Sequence, residues 1–95
     1  MGKNEAIILD PKDNVATMLG DVDCGNLVSI VSKAGDAMKV VRAKQSIPFA
    51  HKVALKRIAK DEEIIKYGEV IGVATELIEI GEHVHIHNVV SMILR

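Results

Sequence analysis

Three of the four histidines fall within five residues, in Gly81-Glu82-His83-Val84-His85-Ile86-His87-Asn88, and they alternate with two β-branched apolar residues. In an extended strand successive side chains point to opposite faces, so this spacing predicts Val84 and Ile86 in a core and His83, His85 and His87 in a row on the other face. Imidazole exchanges protons near neutrality, with an unperturbed pKa of about 6.5, and its neutral form is a common metal ligand. Proton transfer and metal binding are therefore the chemistries to weigh first. Along a strand rising about 3.3 Å per residue, side chains two apart converge on one ion, whereas His83 and His87 stand about 13 Å apart. A His85–His87 pair is thus the expected metal donor set. Two ligands make a weak site for Zn²⁺ or Fe²⁺ that water or a partner chain must complete.

The rest of the composition narrows the function. The chain has 95 residues, 12 basic and 13 acidic, and a formal net charge of −1. It offers no electrostatic footprint for nucleic acid. Aromatic residues are 2% of the chain, so stacking platforms for bases are missing too. Met1-Gly2-Lys3-Asn4-Glu5 is polar where a signal peptide needs an apolar segment, and no apolar run reaches the length of a membrane span. We expect a cytoplasmic chain without membrane or nucleic-acid partners. The single cysteine, Cys24, excludes an internal disulfide and reads as a small turn residue between acids that disfavour a thiolate.

The elements that must hold the histidines read mainly as β. Twelve Ile and twelve Val stand against six Leu, and β-branched side chains favour strands. Ala6–Leu9 reads as a first strand, and Leu27–Lys33 with Met38–Ala43 as a hairpin around Ala34-Gly35-Asp36-Ala37. Between them Asp10–Gly20 predicts a short amphipathic helix, with Asp10 as cap, Pro11 in the first turn and Gly20 as stop. His51–Ile58 fits a strand or a short helix. Lys60–Glu63 reads as a solvated loop, and Tyr67–Thr75 as a strand buried on both faces. No internal repeat is evident, and the expectation is a single domain over residues 1–95.

The ordered set Asp13-Asn14-Val15-Ala16, Ile47-Pro48, His51-Lys52, Lys66-Tyr67-Gly68, Ile71-Gly72, Ala74-Thr75 and the closing His-x-His-Asn resembles the SAF domain of the altronate and galactarate dehydratase family. The small subunit of sulfolactate sulfo-lyase is similar. The resemblance implies a small SAF-type β-clip domain, mainly β with one or two short helices, and a role as small subunit of a hydro-lyase. A separate large catalytic subunit is then the implied partner. It would hold most of a divalent metal requirement, Fe²⁺ or Mn²⁺, and the substrate would be a small sugar acid. Self-association into a homo-oligomer is a further expectation.

On this resemblance His85 and His87 are the candidate acid–base pair, and His51 and Lys52 match the family's His-Lys pair. Lys52 supplies a compact positive charge for a carboxylate, and Asn88 either orients an imidazole or bonds a substrate hydroxyl. The alternatives for the same residues are a non-catalytic sugar-acid or metal-binding module and a sulfo-lyase small subunit. His83 is the member of the row most readily read as incidental. Two departures touch the backbone: Ala50 and Asp61 stand where the family usually has glycine. The closing Val89–Arg95 is apolar instead of Gly/Arg-rich, which suits an extra strand or a subunit contact.

Overall fold

A computed structural model describes residues 4–91. Among the described residues there are nine strands: β1 (Glu5–Ile7), β2 (Val15–Met18), β3 (Leu27–Val31), β4 (Ala37–Arg42), β5 (Lys52–Ala54), β6 (Glu63–Lys66), β7 (Glu69–Ala74), β8 (His83–Val84) and β9 (Val89–Ser91). They build a six-stranded sheet in the order β4-β3-β1-β2-β5-β8 and a three-stranded sheet in the order β6-β7-β9. Only β1 and β3 pair in parallel; the remaining neighbours are antiparallel. The mainly β expectation therefore holds, and among the described residues there is no helix, so none is long and apolar enough to cross a membrane.

The helix expected over Asp10–Gly20 is corrected. A turn closed by Asp13 N–H donating to the Asp10 carbonyl (3.0 Å) replaces its start, and Val15–Met18 is strand β2 between β1 and β5. Pairing on both edges outweighs the local cap signals, and β-branched Val15 and Thr17 suit the pleat. The two faces of β2 and β5 serve two different cores. Ala16, Met18, Val53 and Leu55 join Val28, Ile30 and Ile47 in one, whereas Val15 and Ala54 join Ile58, Ile64, Ile78 and Val84 in the other. Asn14, 7% exposed, stitches the sheets together. Its side-chain amide donates to the Glu63 carbonyl (2.9 Å) while its oxygen accepts from Ile65 N–H (2.8 Å).

A repeat that the sequence hides organises these cores. Val22–Val28, Ile47–Val53, Ile58–Ile64 and Ile78–Val84 each run from one buried aliphatic to another, with a positive-φ residue midway. Those residues are Gly25 (φ 93°), Ala50 (73°), Asp61 (73°) and Gly81 (89°). Each copy is a reverse turn: Asn26, His51, Glu62 and Glu82 N–H donate to the carbonyls of Asp23, Pro48, Ala59 and Glu79 at 3.0–3.1 Å. A positive φ at the third turn position defines type II geometry. The copies pair through the bridges Val22↔Ile47 and Ile58↔Ile78, one pair in each core.

Three smaller expectations are also revised. Glu63 does not end a solvated loop but opens β6, whose turn into β7 is Tyr67-Gly68 with both φ positive (59° and 72°), the two-residue hairpin pattern. Strand β7 is only half-buried, with Val70 39% exposed. Val89–Ser91 supplies the extra strand expected of the tail, against β7, and residues 92–95 lie outside the described residues.

A side chain at φ near +70° costs roughly 1–2 kcal/mol against glycine, offset in part by glycine's larger unfolded entropy. Ala50→Gly and Asp61→Gly should therefore each raise stability, by about 0.5–1 kcal/mol, in urea unfolding. A loss of stability in both variants would refute the strain assigned to these turns.

Candidate functional site

Register explains why the histidines meet. In the β5–β8 ladder Lys52 faces Val84 and Val53 faces His83. One step further sets His51 opposite His85, on the same side as Val53 and His83. The rings stack accordingly: His51 and His85 have centroids 4.0 Å apart and planes 17° apart, His51 and His83 5.0 Å and 30°, His83 and His85 5.5 Å and 14°. His51 Nδ1 and His83 Nε2 lie 2.8 Å apart, so a single proton bridges them, one nitrogen donating and the other accepting. His83, the residue easiest to dismiss on sequence, is thus central.

The expected histidine strand over residues 83–87 stops early. Extended structure ends at Val84, and residues 85–88 form a turn closed by Asn88 N–H donating to the His85 carbonyl (3.1 Å). Ile86 is consequently 86% exposed instead of buried in a core. His87 lies on the exposed part of this turn, tilted 42° against His83 at 5.1 Å. The cause is Asn88, 3% exposed: its side-chain oxygen accepts from His85 N–H (3.0 Å) and its amide donates to the His83 carbonyl (2.9 Å). Both ends of the amide hold the histidine backbone in place. Gly81 sets the entry to this segment, because a Cβ there would stand 2.0 Å from the Arg42 carbonyl.

Beside the stack is an open hollow of about 360 Å³, lined by Lys52, Lys66, Tyr67, His85, Ile86 and Val89 among others. Lys52 and Lys66 bring two positive charges to it. Burial lowers the Lys52 pKa below the ordinary lysine value, and the Lys66 charge lowers it further. Burial pushes His83 down to about 4, helped by positive charge at His87, His51, His85 and Lys52. His85 is lowered by burial first and then by His51, Lys52 and His87. His83 and His85 therefore present neutral imidazoles at pH 7 next to fixed cations. Lys66 and Tyr67 belong to the family-like motif, but sequence reasoning gave them no role; nothing in their spacing reveals that the β6–β7 hairpin turn faces the histidines.

One nitrogen each from His51, His83 and His85 lies within 4.8 Å of the other two, a three-donor group that shares His85 with the expected His85–His87 pair. Zinc–nitrogen bonds of about 2.0–2.1 Å place neighbouring donors about 3.3 Å apart, so the near-parallel rings must turn towards a common point. Three imidazoles without a carboxylate suit Zn²⁺ or Fe²⁺ better than Mn²⁺ or Mg²⁺.

The altronate/galactarate dehydratase SAF domain family matches residues 4–92, and the chain belongs to it. The chain is 34% identical over 84 residues to the (2R)-sulfolactate sulfo-lyase subunit alpha of Chromohalobacter salexigens, covering 87% of this chain and 89% of that one. It is 35% identical to the altronate dehydratase of Bacillus subtilis over 82 residues, and 42% identical to that of Escherichia coli over 76 residues. Those matches cover 86% and 80% of this chain but only 15% and 14% of the dehydratases. These relatives are lyases or subunits of lyases, and the word subunit in the first name implies an enzyme of more than one chain.

The neutral His83 carries a pH signature. The unfolded chain takes up this proton near 6.5 and the folded chain only near 4, so acid favours unfolding across that interval and adds nothing further below it. In chelator-treated protein the urea midpoint should fall as pH drops from 7 towards 4, less steeply in His83→Gln. Imidazole NMR showing His83 protonated at the ordinary histidine midpoint would overturn this.

Proposed function

We propose that this chain acts as the small subunit of a hydro-lyase or sulfo-lyase, lending histidine and lysine side chains to a site completed by a large catalytic chain. The observation that carries the reading is the juxtaposition of neutral His85 with the cationic Lys52 at one open hollow. Loss of water from a hydroxy acid needs a base for the proton beside the carboxylate, positive charge for the enolate that develops, and an acid for the departing hydroxyl. His85 is assigned as base and His87, on the exposed turn, as the second proton carrier. Lys52 neutralises the carboxylate, and His51 holds the cluster in register through His83. The C–H proton passes to imidazole, the neighbouring C–O bond breaks, and the hydroxyl leaves as water with the acid's proton. The resulting enol tautomerises to a ketone; in the sulfo-lyase form sulfite is the leaving group.

A divalent metal, Fe²⁺ or Mn²⁺, belongs to this proposal, held mainly by the large chain, where it supplies Lewis-acid stabilisation to carboxylate and leaving group. The part of such a site that this chain can offer is His51, His83 and His85. The second reading, a metal- or sugar-acid-binding module without turnover, is favoured by that same trio.

The decisive assay measures turnover of aldonic, aldaric and sulfo-hydroxy acids with Fe²⁺, Mn²⁺ or Mg²⁺, for this chain alone, with its large partner, and with the partner plus His85→Ala/His87→Ala. Turnover is expected only in the wild-type mixture, and the double variant should lose about 10²–10⁴-fold in kcat, the usual weight of general acid–base catalysis. An assembled, active complex indifferent to the double change would refute the catalytic assignment. For the metal, Co²⁺ added to the chain should give visible ligand-field bands that His83→Ala abolishes; bands that survive it would exclude the trio.

A further inference from the structure

Among the described residues the hollow brings together two cations with no carboxylate in ion-pair reach of either. Lys52 opens β5 and Lys66 closes β6, and both side chains line the hollow beside the Tyr67-Gly68 turn that joins β6 to β7. Among the described residues the ion pair is Arg57 with Glu79, at 3.9 Å, and no carboxylate lies within that reach of Lys52 or Lys66. Lys66 Nζ instead sits 5.1 Å from the centre of the Tyr67 ring. Both lysines are half-buried. Partly desolvating one ammonium beside another is unfavourable by itself, and an anion between them reverses the sign of that interaction. Ile71 and Val89 make the neighbouring wall apolar, which strengthens any charge pairing formed against it.

We infer that Lys52 and Lys66 form a two-pronged anchor for the acid group of a small hydroxy acid, its carboxylate or sulfonate, turning the hydroxyl-bearing carbon towards His85. Lys66 is then a specificity-determining residue, and Tyr67 fixes its ammonium by standing beneath it. The word substrate rests on the lyase reading; the anion anchor does not.

Malate and 3-sulfolactate test it, because they differ only in carboxylate against sulfonate at one end, with glycerol as the neutral control and chloride at matched ionic strength. Lysine side-chain NMR of the whole chain should show saturable shifts confined to Lys52 and Lys66 with at least one acid and with neither control. Tighter binding of sulfolactate assigns the anchor to sulfonate, and tighter binding of malate to carboxylate. Lys66→Gln should weaken binding about tenfold, the loss of one charge-assisted contact, whereas Lys66→Arg and the distant Lys60→Gln should retain it. Absence of saturable shifts with both acids, or unchanged affinity in a folded Lys66→Gln, would overturn the anchor. Lysine-dependent binding in a complex that turns over no hydroxy acid would refute the lyase reading and leave the anchor standing. Turnover with an unchanged KM in Lys66→Gln would do the reverse.

Discussion

The site depends on a backbone constraint: a residue held at positive φ, three positions after one buried aliphatic and three before the next. Each such turn reverses the chain between two side chains that must reach a core, so the intervening residues are placed by the packing and not by their own preferences. In Ile47–Val53 those residues include His51 and Lys52, and in Ile78–Val84 they include His83. The positive-φ amides are not idle. Ala50 N–H donates to the Met18 carbonyl and Gly81 N–H to that of Ala54, which ties both histidine-bearing turns to the shared β2–β5 layer. The two cores then fix the distance between turns, and the β5–β8 register fixes which rings face each other.

Electrostatics follow from that geometry. Stacked imidazoles 4.0–5.5 Å apart cannot all carry charge, and Lys52 adds a cation from the same layer. Burial and neighbouring charge keep the His83 and His85 rings neutral beside the Lys52 cation. Such a division of labour suits chemistry in which a proton is taken from carbon next to a carboxylate, because the base must be unprotonated while the enolate needs a fixed positive field. In the proposed lyase one physical cause, crowding of like charges on a partly buried surface, would yield both the base and the electrophilic environment.

Much of this was legible in the sequence, and the failures have a common origin. Alternation of His83 and His85 about Val84 predicted that the two rings share a side, and they do; β1, the β3–β4 hairpin and β7 were placed within a few residues. The helix over Asp10–Gly20 was wrong because capping signals are local, whereas β2 is decided by partners at Ala6–Ile7 and Lys52–Ala54. Ile86 was assigned to a core because a two-residue period says nothing about where a strand ends, and it ends through a side-chain amide, Asn88, four residues beyond Val84. The fourfold turn repeat escaped notice because its marker position holds Gly, Ala, Asp and Gly. Only the absence of glycine at Ala50 and Asp61, against the family's habit, hinted at a shared backbone requirement.

The openness of the hollow bears on the proposal that a second chain completes the site. Ammonium and imidazole groups facing bulk water lose most of their leverage on a developing charge, because the effective dielectric is high there. Yet the rim carries Ile86 at 86% exposure and Tyr67 at 62%, apolar surface flanking a cationic centre. Burying that rim against another surface would exclude water and strengthen every interaction of Lys52, Lys66 and His85 with an anion, without moving any of them. In the proposed assembly, a cover supplying metal and the remaining ligands would complete the site. The proposed division, a small chain that presents preorganised cations and imidazoles and a large one that closes over them, is one to which this geometry is suited.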